Sequence, residues 1–266
     1  MTERNPLLSV VNASGFPLQI AVEHMVRATR SVHGWDVRYV EHSWLNRING
    51  RSGFIDLVLC NQYGTSSLVV ECKRVRDTAW VFMSPDGSDK SRGHCKSWIR
   101  RYSGGSMTYF GWQDLVVSPA TAEASYCTVR GQTDSSPMLE RVASELVLAT
   151  EALANEERDY RPNYENIHFY FNIIVTTAEL MVCSFDPAVI SLANGSLETA
   201  DFKAVPYIRF RKQLTANGEL FTPDDYATGM DPSKRKEHTV FVVNSSSLAD
   251  FLTNFDINND RIRPFI

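Results

Sequence analysis

The stretch "FIDLVLCNQYGTSSLVVECKRV", Phe54 to Val75, reads as two apolar strands, about Phe54–Asn61 and Ser67–Lys73, joined by a polar turn containing a glycine. Three residues break its apolar character: Asp56 in the first strand, Glu71 and Lys73 in the second. Charges at such places need a partner or a task, because a lone carboxylate in an apolar layer is costly.

Side chains alternate along a strand, so Glu71 and Lys73 share one face while Leu68, Val70 and Cys72 share the other. Two registers remain open. A turn centred near Gly64 sets Asp56 opposite Cys72. A one-residue shift or a bulge sets it on the face of Glu71 and Lys73. Electrostatics favours the second, in which two carboxylates and a lysine make a site. The bland reading is an exposed ion-pair row between Glu71 and Lys73, worth little in energy.

Two neighbouring carboxylates repel, and a divalent cation relieves that repulsion. Hard oxygen donors favour Mg²⁺, with Mn²⁺ as a substitute. Such an ion activates a bound water and stabilises charge on a phosphoryl oxygen, and a lysine on the same face steadies the charge that develops. Together the three residue types point to phosphodiester hydrolysis.

The helix before the hairpin, the two apolar strands, "ID" in the first and "VVECK" in the second resemble the Asp…Glu-x-Lys signature of the PD-(D/E)XK, or restriction-endonuclease-like, nuclease superfamily. The resemblance runs over about 16–177. It implies an α/β fold with an αβββαβ core and a mixed central sheet flanked by helices. A long insertion follows the third strand and a β-rich extension ends the chain. It implies Asp56, Glu71 and the backbone carbonyl of Cys72 as metal ligands, Lys73 as the catalytic lysine, and Glu23 on the first core helix as a further acid of the site. Ile55 stands where the literal pattern has proline. Glu23 also has an ordinary reading, pairing with Arg27 one helical turn on.

Composition sets the frame for this reading. With 266 residues, 43% of them hydrophobic, the chain is expected to form one domain, with core segments at about 16–75 and 136–177, an insertion at 76–135 and an elaboration at 178–266. It shows neither a long apolar run nor a signal-peptide layout, so a cytoplasmic, non-membrane protein is expected. Five cysteines, none at C-x-x-C spacing, read as reduced thiols.

The net charge of −4 excludes a protein that coats nucleic acid generically, yet its distribution is uneven. From Lys73 to Arg101, eight Lys and Arg face three acids, leaving +5 there and −9 elsewhere. Arg74, Arg76, Lys90, Arg92, Lys96, Arg100 and Arg101 are therefore candidate nucleic-acid contacts, read as phosphate contacts without base specificity. The same stretch carries Trp80, Trp98, Tyr102, Tyr109, Phe110 and Trp112, which could stack on bases. Trp80 and Trp98 read better as a small core of the insertion. A connection this long is functional or has structure of its own.

Elsewhere the pattern predicts an amphipathic helix over 15–34 with Gly34 as a stop, a strand in "WDVRYVEHSW", and the clearest helix of the chain beginning near Ser136. Further strands are expected in "IHFYFNIIVTTAELMVCSF", "VPYIRFRKQL" and "HTVFVVN", and a closing helix in "SSSLADFLTNF". The helix near Ser136 lacks the Q-x-x-x-Y motif of some exonuclease branches, which leans towards an endonuclease.

The expectation is a Mg²⁺-dependent DNA endonuclease of a prokaryotic restriction, phage-defence or repair system, acting as a homodimer or with a partner subunit. The alternatives are a nuclease-derived nucleic-acid-binding or protein-interaction module without cleavage, and an unrelated α/β protein with a chance E-x-K.

Overall fold

The computed structural model describes residues 6–47, 49–76, 78–85, 91–129, 137–160, 167–214 and 236–257. Among these, a mixed central sheet is covered by helices on both faces, and the chain is of the α/β class.

From residue 16 to residue 73 the order of elements follows the sequence pattern. Helices α1 (Pro6–Ala13) and α2 (Phe16–Ala28) are followed by one turn, α3 (Arg30–His33). Gly34 ends that turn at φ +74°, a left-handed conformation in which a side chain would be strained. Strands β1 (Trp35–Leu45), β2 (Ser52–Asn61) and β3 (Ser66–Lys73) form an antiparallel meander. Helix α2 buries Leu18, Val22 and Val26, spaced by four, together with Gln19.

The basic, serine-rich stretch after β3 is not a loop. It folds into β4 (Ala79–Pro85), β5 (Arg92–Ser103), β6 (Ser106–Thr121), β7 (Glu123–Ala124) and β8 (Tyr126–Val129). Strands β5 and β6 make a long hairpin turned by Gly104 and Gly105, both at positive φ. Sequence reading expected of this stretch only that it is functional or has structure of its own. The longer strands were hidden because both of their faces are occupied, so polar and apolar residues do not alternate cleanly.

Helix α4 (Met138–Glu156) leads into β9 (Ile167–Thr176) and β10 (Glu179–Phe185). The extension adds β11 (Asp201–Ala204), β12 (Tyr207–Gln213), β13 (Glu237–Asn244), helix α5 (Leu248–Asn254) and β14 (Asp256–Ile257). It is β-rich, as expected. Strand β9 lies at the centre, with β3 parallel along one edge. Its other edge is shared: β5 takes Ile167–Tyr170 and β13 takes Asn172–Thr176. A second sheet runs β11-β10-β4-β8.

Two apolar layers sandwich the central sheet. One joins α4 to Val58, Val69, Ile174 and the aromatic residues Trp80, Phe82, Trp98 and Trp112. The other joins α2 and α5 to Leu57, Leu59, Leu68, Val70 and Cys72. Trp80 and Trp98 are thus core residues, and Trp98 meets Trp112 and Phe110 edge-on at 5.5 and 5.0 Å. All five cysteines are free thiols. No helix among the described residues is long and apolar enough to cross a membrane.

Candidate active site

The register of the hairpin is set at its turn. The Asn61 Oδ1 accepts the backbone N–H groups of Thr65 and Ser66 at 2.9 and 3.2 Å, and Gly64 sits at φ +71°. This four-residue connection is centred between Tyr63 and Gly64, and it pairs Leu57 with Val70 and Leu59 with Leu68. Continued by one residue, the same register sets Asp56 across from Glu71 rather than Cys72.

Beyond Leu57 and Val70 the sheet forks. Strand β2 stays with β1 as far as Ser52, β3 stays with β9 as far as Lys73, and the β2–β3 ladder stops. A fork frees backbone groups that need partners. Asp56 Oδ2 accepts the Cys72 N–H at 2.6 Å, and the Asp56 carbonyl accepts from Gln19 Nε2 on α2 at 3.2 Å. Burial changes side here as well. Ile55 packs in the α4 layer with Val58, while Leu57 packs in the α2 layer. The fork therefore presents Asp56, Glu71 and Lys73 together because the alternation and the ladder end at the same place.

Lys73 Nζ lies 2.7 Å from Glu71 Oε1, with side-chain exposures of 36% and 21%. Burial by itself would lower the Lys73 ammonium, but the carboxylates around it, Glu71 first and then Asp56 and Glu145, together outweigh burial and the net shift is upward. Asp56 fares differently. Burial first, then the charge of Glu71, pushes its carboxyl up to about 7. The Cys72 N–H and Lys73 pull the other way, and Glu41 adds to the rise.

Glu41 was not singled out by the sequence. It lies on β1 between residues whose partners are Leu57 and Ile55, and so faces Asp56 across the ladder. Its φ is +50°, a left-handed conformation rare for a side chain of this kind. Gln19 Nε2 donates to Glu41 Oε1 at 2.5 Å, tying α2 to this point. A bulge sets Glu41 there: the register of β1 against β2 shifts by one residue between Val37 and Tyr39, and without that shift Glu41 would face Ile55. Glu23, the helix acid expected at the site, pairs with Arg27 at 3.0 Å, one turn along from Gln19. The helix residue that reaches the hairpin is Gln19.

The basic candidates divide. Arg74 is half-buried just past β3, and Arg76 is exposed. Arg92 is half exposed, 3.8 Å from Glu123. Arg101 is half-buried on β5, and Lys90 lies outside the described residues. Lys96 and Arg100, expected to meet phosphates, are instead buried: Arg100 lies where β5 sits between β6 and β9, and Lys96 where β5 sits between β6 and Thr239 of β13. Arg100 Nη1 donates to the carbonyls of Glu157 and Tyr160, so it holds protein and not a phosphate.

Among the described residues no group of three or more His, Cys, Asp and Glu side chains converges to hold a metal. A site of two carboxylates and a backbone carbonyl is smaller than that. Asp56, Glu71 and the Cys72 carbonyl are hard oxygen donors of the kind Mg²⁺ takes. The fit rests on charge: Asp56 is driven towards protonation by its burial and by Glu71 beside it, and a cation would offset both.

No family model, no curated protein and no solved structure matches the chain. The fork and its residues are what a functional reading has to stand on.

Proposed function

We propose that this chain is a divalent-cation-dependent nuclease, most simply a DNA endonuclease, with a restriction-endonuclease-like core formed by α2, β1, β2, β3, α4 and β9. The observation that carries the reading is the meeting of Asp56, Glu71 and Lys73 where β2 and β3 part. Strand ends that diverge free polar groups towards solvent, and a site at a fork is open to a polymeric substrate. The setting in restriction, phage defence or repair, and a homodimer or partner subunit for double-strand cutting, follow from the same resemblance.

Mg²⁺ or Mn²⁺, held by Asp56, Glu71 and the Cys72 carbonyl, would supply an activated water and charge neutralisation at the phosphate. The protein's own groups divide the remaining work. Lys73, with its pKa raised, stays protonated near neutral pH. It therefore serves as a fixed cation facing the charge that grows on the phosphoryl oxygens, and not as a base. Glu71 holds Lys73 in place at 2.7 Å. Asp56 is fixed from two sides, by the Cys72 N–H on its carboxylate and by Gln19 on its carbonyl. Arg74 and Arg76, directly after Lys73, are the cations best placed to meet the flanking phosphates.

The test is cleavage of supercoiled plasmid, single-stranded DNA and RNA by the purified chain with Mg²⁺, Mn²⁺ or EDTA. Cleavage that needs the cation and is lost in Lys73→Ala and in Asp56→Asn is the expected result. Activity that survives both substitutions sinks the assignment. A second reading, a nucleic-acid-binding module without cleavage, draws on the Lys73–Glu71 ion pair, which occupies a carboxylate oxygen the ion would otherwise use. Salt-sensitive binding with no cleavage under any of these conditions would favour it.

A further inference from the structure

Helix α1 buries none of its eight residues. Its Leu8, Val10 and Val11 are 56%, 68% and 53% exposed. At 3.6 residues per turn these three fall within one half of the helix surface, with Ser9 on the other half. On α2, Phe16 and Ile20 stand one turn apart and are 62% and 64% exposed, turned away from the buried Leu18, Val22 and Val26. We infer that α1, together with Phe16 and Ile20 of α2, is the surface on which a second copy of this chain sits, about a twofold axis.

The first argument is the helix itself. Helices shorter than about 12–15 residues do not hold in water without an apolar face packed against something. Among the described residues, Leu8, Val10 and Val11 belong to neither apolar layer of the domain. The turn into α2 is nevertheless defined: the Ser14 N–H donates to the carbonyls of Val10 and Val11, and its hydroxyl donates to the Val11 carbonyl at 2.7 Å. An ordered apolar helix that its own chain does not cover calls for cover from another.

The second is area. The five side chains leave on the order of 500 Å² of each copy in water, so twofold contact would remove on the order of 1,000 Å², the level a biological interface should clear. Flanking residues would add to that.

The third is charge, which selects the partner. The sequence of α1, PLLSVVNA, has no acidic or basic side chain. A phosphate backbone needs Lys or Arg, and a helix lying on lipid carries them along its polar side, where α1 has Ser9 and Asn12. The core of a contact between identical chains is apolar and depleted of charge. Glu23 and Arg27, further along α2, pair with each other at 3.0 Å and suit its polar rim. A twofold axis sets the same patch against itself, so no second complementary surface is required.

This gives the homodimer of the proposed function a definite face, and it stands on that surface rather than on cleavage.

The experiment is sedimentation equilibrium of the full chain, 30.0 kDa, with and without Val11→Asp and Ile20→Asp together. The wild type is expected to show the mass of two chains over about 1–100 μM, and the double variant the mass of one. All five tryptophans are buried in the domain, so an unchanged near-ultraviolet circular dichroism spectrum shows that the variant is folded. If the aspartates disturb the fold, Val11→Ser with Ile20→Ser carries the test, with dimer affinity expected to fall at least about tenfold. A one-chain mass for the wild type at every concentration overturns the inference. So does a two-chain mass that persists undiminished in a folded variant, or a one-chain wild type that sediments with phosphatidylglycerol vesicles through these residues. None of these outcomes depends on cleavage, so the nuclease reading and this one fail separately.

Discussion

Asp56 at the fork and Glu157 just past the end of α4 are both carboxylates drawn into the protein, and their surroundings are opposite in sign. Glu157 is met by Arg38 at 3.1 Å and by the Tyr170 hydroxyl at 2.8 Å, while Arg100 donates to its backbone carbonyl. Cations at the C-terminal end of a helix also suit its dipole. The cluster ties α4 to β1, β5 and β9, and nothing in it asks for a ligand. Asp56 has acids for neighbours, Glu71 and Glu41, and the nearest cation, Lys73, already pairs with Glu71. A structural charge cluster is neutralised within the protein. The fork is left with an excess of negative charge, which is the pattern of a site that waits for something positive.

The sharpest way to break this comparison is to remove charge at the fork. Lys73→Ala and Asp56→Asn are each expected to lower cleavage by about a hundredfold or more, with the circular dichroism spectrum unchanged. A folded variant that still cleaves would mean the excess charge has no catalytic role. At the other cluster the loss should fall on stability. Glu157→Ala leaves Arg38 buried without its carboxylate and is expected to cost about 3–5 kcal/mol in urea unfolding. Its cleavage per folded molecule should not change.

The pH dependence separates the two clusters further. Asp56 is near 3.8 when unfolded and about 7 when folded. The folded state therefore holds its proton longer, and stability falls as pH rises from about 4 to 7. In EDTA the loss should approach at most about 4 kcal/mol by pH 8, reduced by whatever solvent screens the partly exposed site. Asp56→Asn should remove that part of the slope, as should added Mg²⁺. A slope identical in wild type and variant would show that burial and acidic neighbours do not hold the proton on Asp56.

The smallest effect is expected at Glu23. Its pair with Arg27 is an exposed i,i+4 contact, so Glu23→Gln should change stability by less than about 0.5 kcal/mol. Cleavage should be unaltered. A large loss of cleavage would return Glu23 to the site in place of Gln19 and Glu41.

Much of this was legible in the residues because it is local. The apolar run of β3 announces a strand buried on both faces, and "ECK" within it sets Glu71 and Lys73 on one side by simple alternation. The period of "MLERVASELVLATEALANE" announces α4, and Gly34 announces the end of the first helical segment. What was not legible depends on partners distant in the chain. Lys96 and Arg100 read as surface cations in a basic loop, until β9 pairs with β5 at Arg100 and β13 meets β5 at Lys96. Glu41 read as one more strand acid, until a one-residue register shift between β1 and β2 brought it opposite Asp56.

The sequence by itself determined the chemistry: two acids and a lysine on adjoining strands, with the spacing that brings them near one another. Only the tertiary structure decided their register and their setting. A strand's side chains repeat every two residues, so a slip of one changes every contact while leaving the pattern equally plausible. Here Asn61 settled that slip by binding the N–H groups of Thr65 and Ser66. The pull of β1 on β2 and of β9 on β3 then opened the fork in which Asp56, Glu71 and Lys73 meet.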